Sequence, residues 1–294
     1  FFVYLICKSN IKWLGIEKPS SDQISDFFKF SFWVLIWSFV MKLILSTEIL
    51  LIGFLISSET VTDYVFSTYI IQLAISISLL TGSAITPSLG SFMGAKMNQK
   101  VKKIISSMRE IITFIALFFG SLVILINEDF VVLWMGEEFY LGSKSNLLIV
   151  SIMIILVLTR IESQIQDLSL KIKNKVLYGL FASILSLISA VIGFYFFHNK
   201  IEGLLLGVLI GRIVMYLIFS NMVNKMIKIR HNYKRGIYII ILISIVFFLE
   251  MYIPLVNNWF NLFLYLVLIT SIYIPLLYFL IFSRNTRKDV LNIL

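Results

Sequence analysis

The chain has 294 residues, of which 59% are hydrophobic and 14% charged, with a mean hydropathy of +0.96, and that leaves too little polar surface for a soluble globule. The formal net charge of +9 is spread through short segments between apolar runs, which argues against nucleic acid as a partner and for a topological signal. The single cysteine, Cys7, has no intrachain partner, and with His198 and His231 it forms no recognisable metal site.

In chain order, residues 1–26 begin with the apolar run Phe1-Phe2-Val3-Tyr4-Leu5-Ile6 and no methionine. They read as the exit end of an earlier helix followed by a cytoplasmic linker, and the chain as a C-terminal fragment of a longer protein. Spans follow at roughly 30–56, 62–92, 105–127, 146–167, 175–197, 203–224, 236–254 and 259–282, reaching or exceeding the length of about 20 residues that a bilayer core requires. Long continuous runs exclude a strand barrel. The first two spans are joined by the short loop Ser57-Ser58-Glu59-Thr60. Between the second and third spans, Val101, Ile104, Ile105 and Met108 recur at helical spacing against Lys100, Lys102, Lys103 and Arg109, which predicts an amphipathic helix at the inner surface.

Basic residues gather in alternate loops: Lys8, Lys12, Lys18 and Lys29; Lys96 to Arg109; Lys171, Lys173 and Lys175; Lys225 to Arg235; and Arg284, Arg287 and Lys288. The intervening loops carry Glu59, Asp63, Glu128, Asp129, Glu137, Glu138 and Glu202, with Lys144 and Lys200 the exceptions. This is the positive-inside pattern, and it places both ends of the chain in the cytoplasm. No loop is long enough for a separate folded domain, so any chemistry lies within the bundle or at its faces.

Charged residues inside the spans are the candidate functional residues. Lys42 falls about 18 Å from the inner start of its span and Arg212 about 13 Å from the outer start of its own. A charge at such depth costs about 2.5–3.5 kcal/mol, so it normally faces a wet cavity or a partner. Lys42 and Glu48 point about 120° apart on an ideal helix and do not neutralise each other. For Lys42, a cavity position competes with snorkelling or structural pairing; for Arg212, beside the small-residue stripe Gly203, Gly207 and Gly211, an ion pair across a helix contact competes with cargo binding. Arg160 heads a polar stripe with Glu162, Gln164 and Asp167, which reads either as a cargo site or as a self-satisfied group near the interface. Pro87 removes a backbone donor inside the second span and is a hinge candidate or a static kink.

Four local patterns occur in order: Ser46-Thr47-Glu48-Ile49-Leu50-Leu51-Ile52-Gly53, Thr86-Pro87-Ser88-Leu89 before a basic loop, Leu133-Trp134-Met135-Gly136-Glu137-Glu138-Phe139-Tyr140, and Ile201-Glu202-Gly203-Leu204-Leu205-Leu206-Gly207. Together they resemble the second half of a polysaccharide or O-antigen flippase of the multidrug/oligosaccharidyl-lipid/polysaccharide exporter superfamily, over most of residues 25–225. The resemblance implies an all-α polytopic membrane protein, the C-terminal six-helix lobe (27–228) of a MATE-like alternating-access transporter, with two additional peripheral helices and a cytoplasmic tail in 229–294. It implies a bacterial inner-membrane carrier of an undecaprenyl-diphosphate-linked oligosaccharide, with membrane lipid, a polysaccharide polymerase and a chain-length regulator as further partners. No cofactor and no enzymatic activity are expected. Lys42, Arg160 and Arg212 would line the cargo cavity, where Arg suits phosphate by its planar fork and Lys acts as a mobile point charge. Glu48 would couple transport to an ion; family members often carry Asp at this position, one methylene shorter. A drug or small-solute antiporter of the same fold is the alternative, and a membrane enzyme ranks below both because no acid/base set is clustered.

Overall fold

The computed structural model describes residues 18–169, 172–229, 233–253, 255–283 and 286–287. Among them every regular element is helical: α1 (Ser21–Leu55), a short α2 (Ser58–Ser67), α3 (Tyr69–Gly94), α4 (Asn98–Trp134), a single 3-10 turn (Glu137–Phe139), α5 (Ser143–Asp167), α6 (Ile172–Phe196), α7 (Lys200–Ile227), α8 (Tyr233–Glu250) and α9 (Trp259–Ile281). All except α2 and α8, seven helices, are long and apolar enough to cross a bilayer, and α8 adds a shorter apolar run, Gly236–Glu250. This is a multi-pass helical membrane protein. The opening apolar run, Cys7, His231, Arg284 and Lys288 lie outside the described residues.

The helix ends follow the sequence closely. Ser20 caps α1 through a reciprocal box, its Oγ accepting from Gln23 N at 3.2 Å while Gln23 Oε1 accepts from Ser20 N at 2.9 Å. Ser57 caps α2 by accepting from Thr60 N at 3.1 Å. The loop expected at 57–60 is therefore a cap and the first turn of a helix. With α2 and α3 taken together as one span, successive spans alternate in direction, so Lys96, Lys100, Lys173, Lys225 and Lys228 lie at one end of the bundle, and Glu59, Glu128, Glu137, Glu202 and Glu250 at the other.

The span expected at 62–92 is broken at Thr68, whose φ of −98° and ψ of 1° leave the helical region. Side chains capture the backbone there. Asn127 Nδ2 donates to the Ser67 carbonyl at 2.8 Å, while Ser67 Oγ donates to Phe139 O at 3.0 Å and accepts from Leu141 N at 3.2 Å. Polar side chains that satisfy backbone groups in this way compete with the helical ladder. The interruption thus comes from a polar knot at the acidic end and not from Pro87, which is exposed within the continuous α3.

The amphipathic segment expected at the inner surface is instead the first part of α4, a helix of 37 residues and about 55 Å. Its apolar positions Val101, Ile105 and Met108 are buried in the main core. They pack on the bundle and do not lie along a membrane face.

Burial ranks the helices. The apolar stretch of α5 is 72% buried and that of α4 67%, against 22% for α3 and 6% for α9. α5 and α4 form the centre; α8 and α9 both pack on α4. α6 and α7 form the tightest pair: a Cβ on Gly193, Gly207 or Gly211 would collide with the backbone of Gly203, Ser189 or Ser186 respectively. Ser189 Oγ bridges the two helices, donating to Gly207 O at 2.6 Å. Small residues let the backbones approach until such bonds form, the usual means of helix association in lipid.

Candidate functional site

α1 packs on α6 and α7, whereas α3 packs on α4 and α5. A groove remains between α1 and α3, floored by α5 and α7. α1 turns one face to its partners, burying Val40, Met41, Ile44, Thr47, Glu48 and Ile52 at helical spacing. Trp37 completes that face: its ring centroid is 5.9 Å from that of Phe219, and a Cβ on Gly179 would fall 2.7 Å from its Cζ3.

A cavity of about 150 Å³ occupies the groove, lined by Ile44, Leu45, Glu48 and Ile49 of α1, Tyr64 of α2, Gln72 of α3, Met153 and Leu156 of α5, and Arg212 of α7, among others. Towards the basic end it is followed by a crevice of about 10 Å³ between Trp37, Met41, Thr159, Arg160, Ser163 and Arg212, room for about one water. Ile44, Leu156 and Arg212 line both spaces, so the two are consecutive along the seam of α1 and α5.

Arg212 sits where they meet. It is 4% exposed, and Glu48 is 6% exposed. Arg212 Nη2 lies 3.2 Å from Glu48 Oε1 and also donates to the Ile44 carbonyl. The guanidinium therefore spans one turn of α1. Its Nε has no partner, leaving a donor unused in the buried wall. Of the two readings open for Arg212, the structure realises the ion pair, and it assigns Glu48 as the partner. Glu48 is accordingly not a free carboxylate.

The remaining candidates divide. Arg160 lines the crevice and makes no hydrogen bond or ion pair with the described residues; Asp167, two turns on, is within electrostatic reach. Lys42 is exposed and likewise has no partner among the described residues. It shares a stripe of α1 with Ser38, Leu45 and Ile49, and Leu45 and Ile49 line the cavity. The stripe Arg160, Glu162, Gln164 and Asp167 is not self-satisfied. Glu162 is buried on another side of α5, where it accepts from Arg109 Nε and Nη2 at 2.7 Å each, and Arg109 Nη1 donates to Asn224 Oδ1 at 2.8 Å. Asp167 accepts from Lys175 Nζ at 2.6 Å. Gln164 reaches across to α3, donating to Ser83 Oγ at 3.2 Å.

Two of these partners were not visible as such in the sequence. Arg109 and Lys175 read as loop cations, yet Arg109 ties α4 to α5 and α7, and Lys175 is fully buried with its Nζ 4.0 Å from the Trp37 ring centroid. Arg109 falls inside the span expected at 105–127, which was the available signal; Lys175 opens its own expected span and offered none. With Arg212 neutralised by Glu48 and Lys175 by Asp167, Arg160 is the cation of the crevice without an ion pair among the described residues, and Lys42 stands exposed on α1 outside the lining of either space.

A larger cleft of about 440 Å³ opens between α4, α8 and α9, but its walls are largely apolar. Its polar groups are engaged: Glu110 accepts from Ser283 N at 3.0 Å, and Arg287 Nε donates to Phe282 O at 2.9 Å. Among the described residues no group of three or more His, Cys, Asp or Glu converges in a metal-binding arrangement. Of these spaces the groove between α1 and α3 is the one walled by a buried ion pair; set against known proteins, the chain matches no family model, no curated protein and no solved structure.

Proposed function

We propose that the chain is a transport lobe that moves a lipid-linked oligosaccharide across the bacterial inner membrane, the basic end facing the cytoplasm. The observation that carries this reading is Arg160, which makes no ion pair among the described residues and lines the crevice that continues the groove between α1 and α3, with Lys42 exposed on the same helix as the groove-lining Leu45 and Ile49. A diphosphate joined to sugars cannot enter hydrocarbon unaided, whereas its polyprenyl tail can stay there. A carrier for it needs a laterally open polar groove with positive charge, and Arg offers the fork geometry that phosphate oxygens accept. Lys42→Gln or Arg160→Gln in the intact protein is expected to lower surface polysaccharide several-fold at equal membrane abundance. Undiminished output from both variants would remove the proposal.

A second reading has its own support. The cavity of about 150 Å³ is smaller than the roughly 300–1,000 Å³ of common ligand pockets, and it is walled by Tyr64, Gln72 and the neutral Glu48/Arg212 pair. These features suit a small solute or drug exchanged by the same architecture. Resistance to cationic drugs in cells overproducing the protein, with polysaccharide output unaffected by its deletion, would favour that reading.

A further inference from the structure

The cleft of about 440 Å³ between α4, α8 and α9 lies apart from the transport groove, and its volume falls within the roughly 300–1,000 Å³ of common ligand pockets. Both α8 and α9 pack on α4, and the cleft is the space they leave between them. Leu117, Ile239 and Leu242 are buried at its floor, while Ile241, Ile245 and Leu280 are half-exposed along its sides. It follows α8 from Tyr238 to Ile245, about 10 Å, starting at the basic end. An apolar slot that runs along spanning helices and opens sideways has the shape of a lipid chain.

The mouth of the slot is polar and mostly cationic. After α9 the chain turns back over α4: Ser283 N donates to Glu110 Oε2 at 3.0 Å, and the Thr286 and Ser107 hydroxyls lie 3.4 Å apart. That turn sets Arg287 at the rim. Its Nε donates to Phe282 O at 2.9 Å and its Nη2 to Phe279 O at 3.3 Å, with the guanidinium carbon 5.5 Å from the Phe279 ring centroid. One edge of the fork is therefore tied to the last turn of α9, and Nη1 is left without a partner among the described residues. Lys234 and Arg235 occupy the first turn of α8, just before Tyr238, and Lys103 lies two turns before Glu110 on the same face of α4. Glu110 is the acidic residue of the lining; it is 6% exposed, and its carboxylate holds the turn.

We infer that this cleft binds an anionic phospholipid from the leaflet at the basic end, one acyl chain lying between α8 and α9 and the phosphate at Arg287. A guanidinium fixed along one edge presents its remaining donors to phosphate oxygens at little further ordering cost. The surrounding cations favour a head group with net negative charge, since a zwitterionic one brings an ammonium among them. The chain also supplies packing that α9, whose apolar stretch is 6% buried, lacks from the protein itself. The inference is independent of the transport proposal, because the cleft lies away from the groove between α1 and α3.

The test is native mass spectrometry of the full chain, delipidated in detergent and titrated with phosphatidylglycerol, phosphatidylethanolamine of the same acyl chains, or polyprenyl phosphate. Phosphatidylglycerol should be retained at one per chain and at least several-fold more tightly than phosphatidylethanolamine. Arg287→Gln, which removes the phosphate contact, and Ile241→Trp, which fills the slot from its half-exposed side, should each weaken that retention several-fold. Lys173→Gln, on α6 and away from the cleft, should leave it unchanged. Equal retention of the two phospholipids, no retention of either, retention indifferent to Arg287→Gln or to Ile241→Trp, or an equal loss in Lys173→Gln would overturn the inference. Displacement of phosphatidylglycerol by an equal concentration of polyprenyl phosphate would overturn it too, by giving the slot to the tail of a polyprenyl lipid. Should Arg287→Gln not be recovered folded, Ile241→Trp decides by itself.

Discussion

Removing one member of the Glu48/Arg212 pair should damage the protein far more than removing both. Both side chains are more than nine-tenths buried, and Arg212 grips α1 at the Glu48 carboxylate and at the Ile44 carbonyl one turn before it. In Glu48→Leu the guanidinium keeps the carbonyl but loses its counter-charge; in Arg212→Met the carboxylate is stranded. Leaving one buried charge unpaired costs about 3–5 kcal/mol, while replacing a whole buried pair with apolar side chains of similar volume is often neutral or mildly stabilising. At roughly 2–4 °C per kcal/mol for domains of a few hundred residues, each single variant should melt roughly 6–20 °C below the wild type. The double variant should recover most of that loss. Scanning fluorimetry of the four detergent-purified proteins measures the cycle, with the α5 and α7 tryptophan-poor core reported through Trp37 on α1. Single variants that melt with the wild type, or losses that add in the double variant, would refute the assignment of this pair as the tie between α1 and α7.

Other consequences follow from close packing and from the second buried cation. Gly207→Leu should separate α6 from α7, because even a Cβ there meets the Ser189 carbonyl, whereas Gly94→Ala meets nothing within 4 Å; size-exclusion profiles should show aggregation for the first and a wild-type peak for the second. Lys175 is 1% exposed in its side chain and Asp167 45%, so Asp167→Asn, which strands the buried ammonium, should lower the melting midpoint more than Lys175→Met, which leaves a solvated carboxylate behind. Lys42→Cys should react with a membrane-impermeant maleimide in intact membranes faster than Ile188→Cys, which lies on the exposed apolar face of α6; equal protection of both would put Lys42 in lipid.

Much of the helical plan was legible in the sequence because the bilayer constrains it: long apolar runs must become helices when no water is available to satisfy the backbone. That another helix would approach α7 closely along the Gly203, Gly207 and Gly211 stripe was also legible, but not that this helix is α6. The pairing of charges was not. Spacing along one helix sets which face a side chain takes but not which neighbouring helix will meet it. Glu162 therefore seemed to belong with Arg160 and Asp167, when its partner is Arg109 on α4, 53 positions earlier. The break at Thr68 was hidden for a similar reason. It depends on Asn127 and Phe139, remote in sequence, reaching Ser67, while Pro87, the local helix breaker, sits within a helix that continues past it.

The proposed passage of a lipid-linked, diphosphate-bearing sugar through the groove between α1 and α3 can be followed in vesicles containing the intact protein. A fluorescent group on the sugar of a polyprenyl-diphosphate-linked oligosaccharide reports crossing as loss of protection from an impermeant quencher. Crossing should depend on the protein and slow at least several-fold in Lys42→Gln and Arg160→Gln, with a neutral polyprenyl glycoside crossing no faster than in empty vesicles. Crossing at the same rate with and without the protein, or unaffected by either substitution, would contradict it.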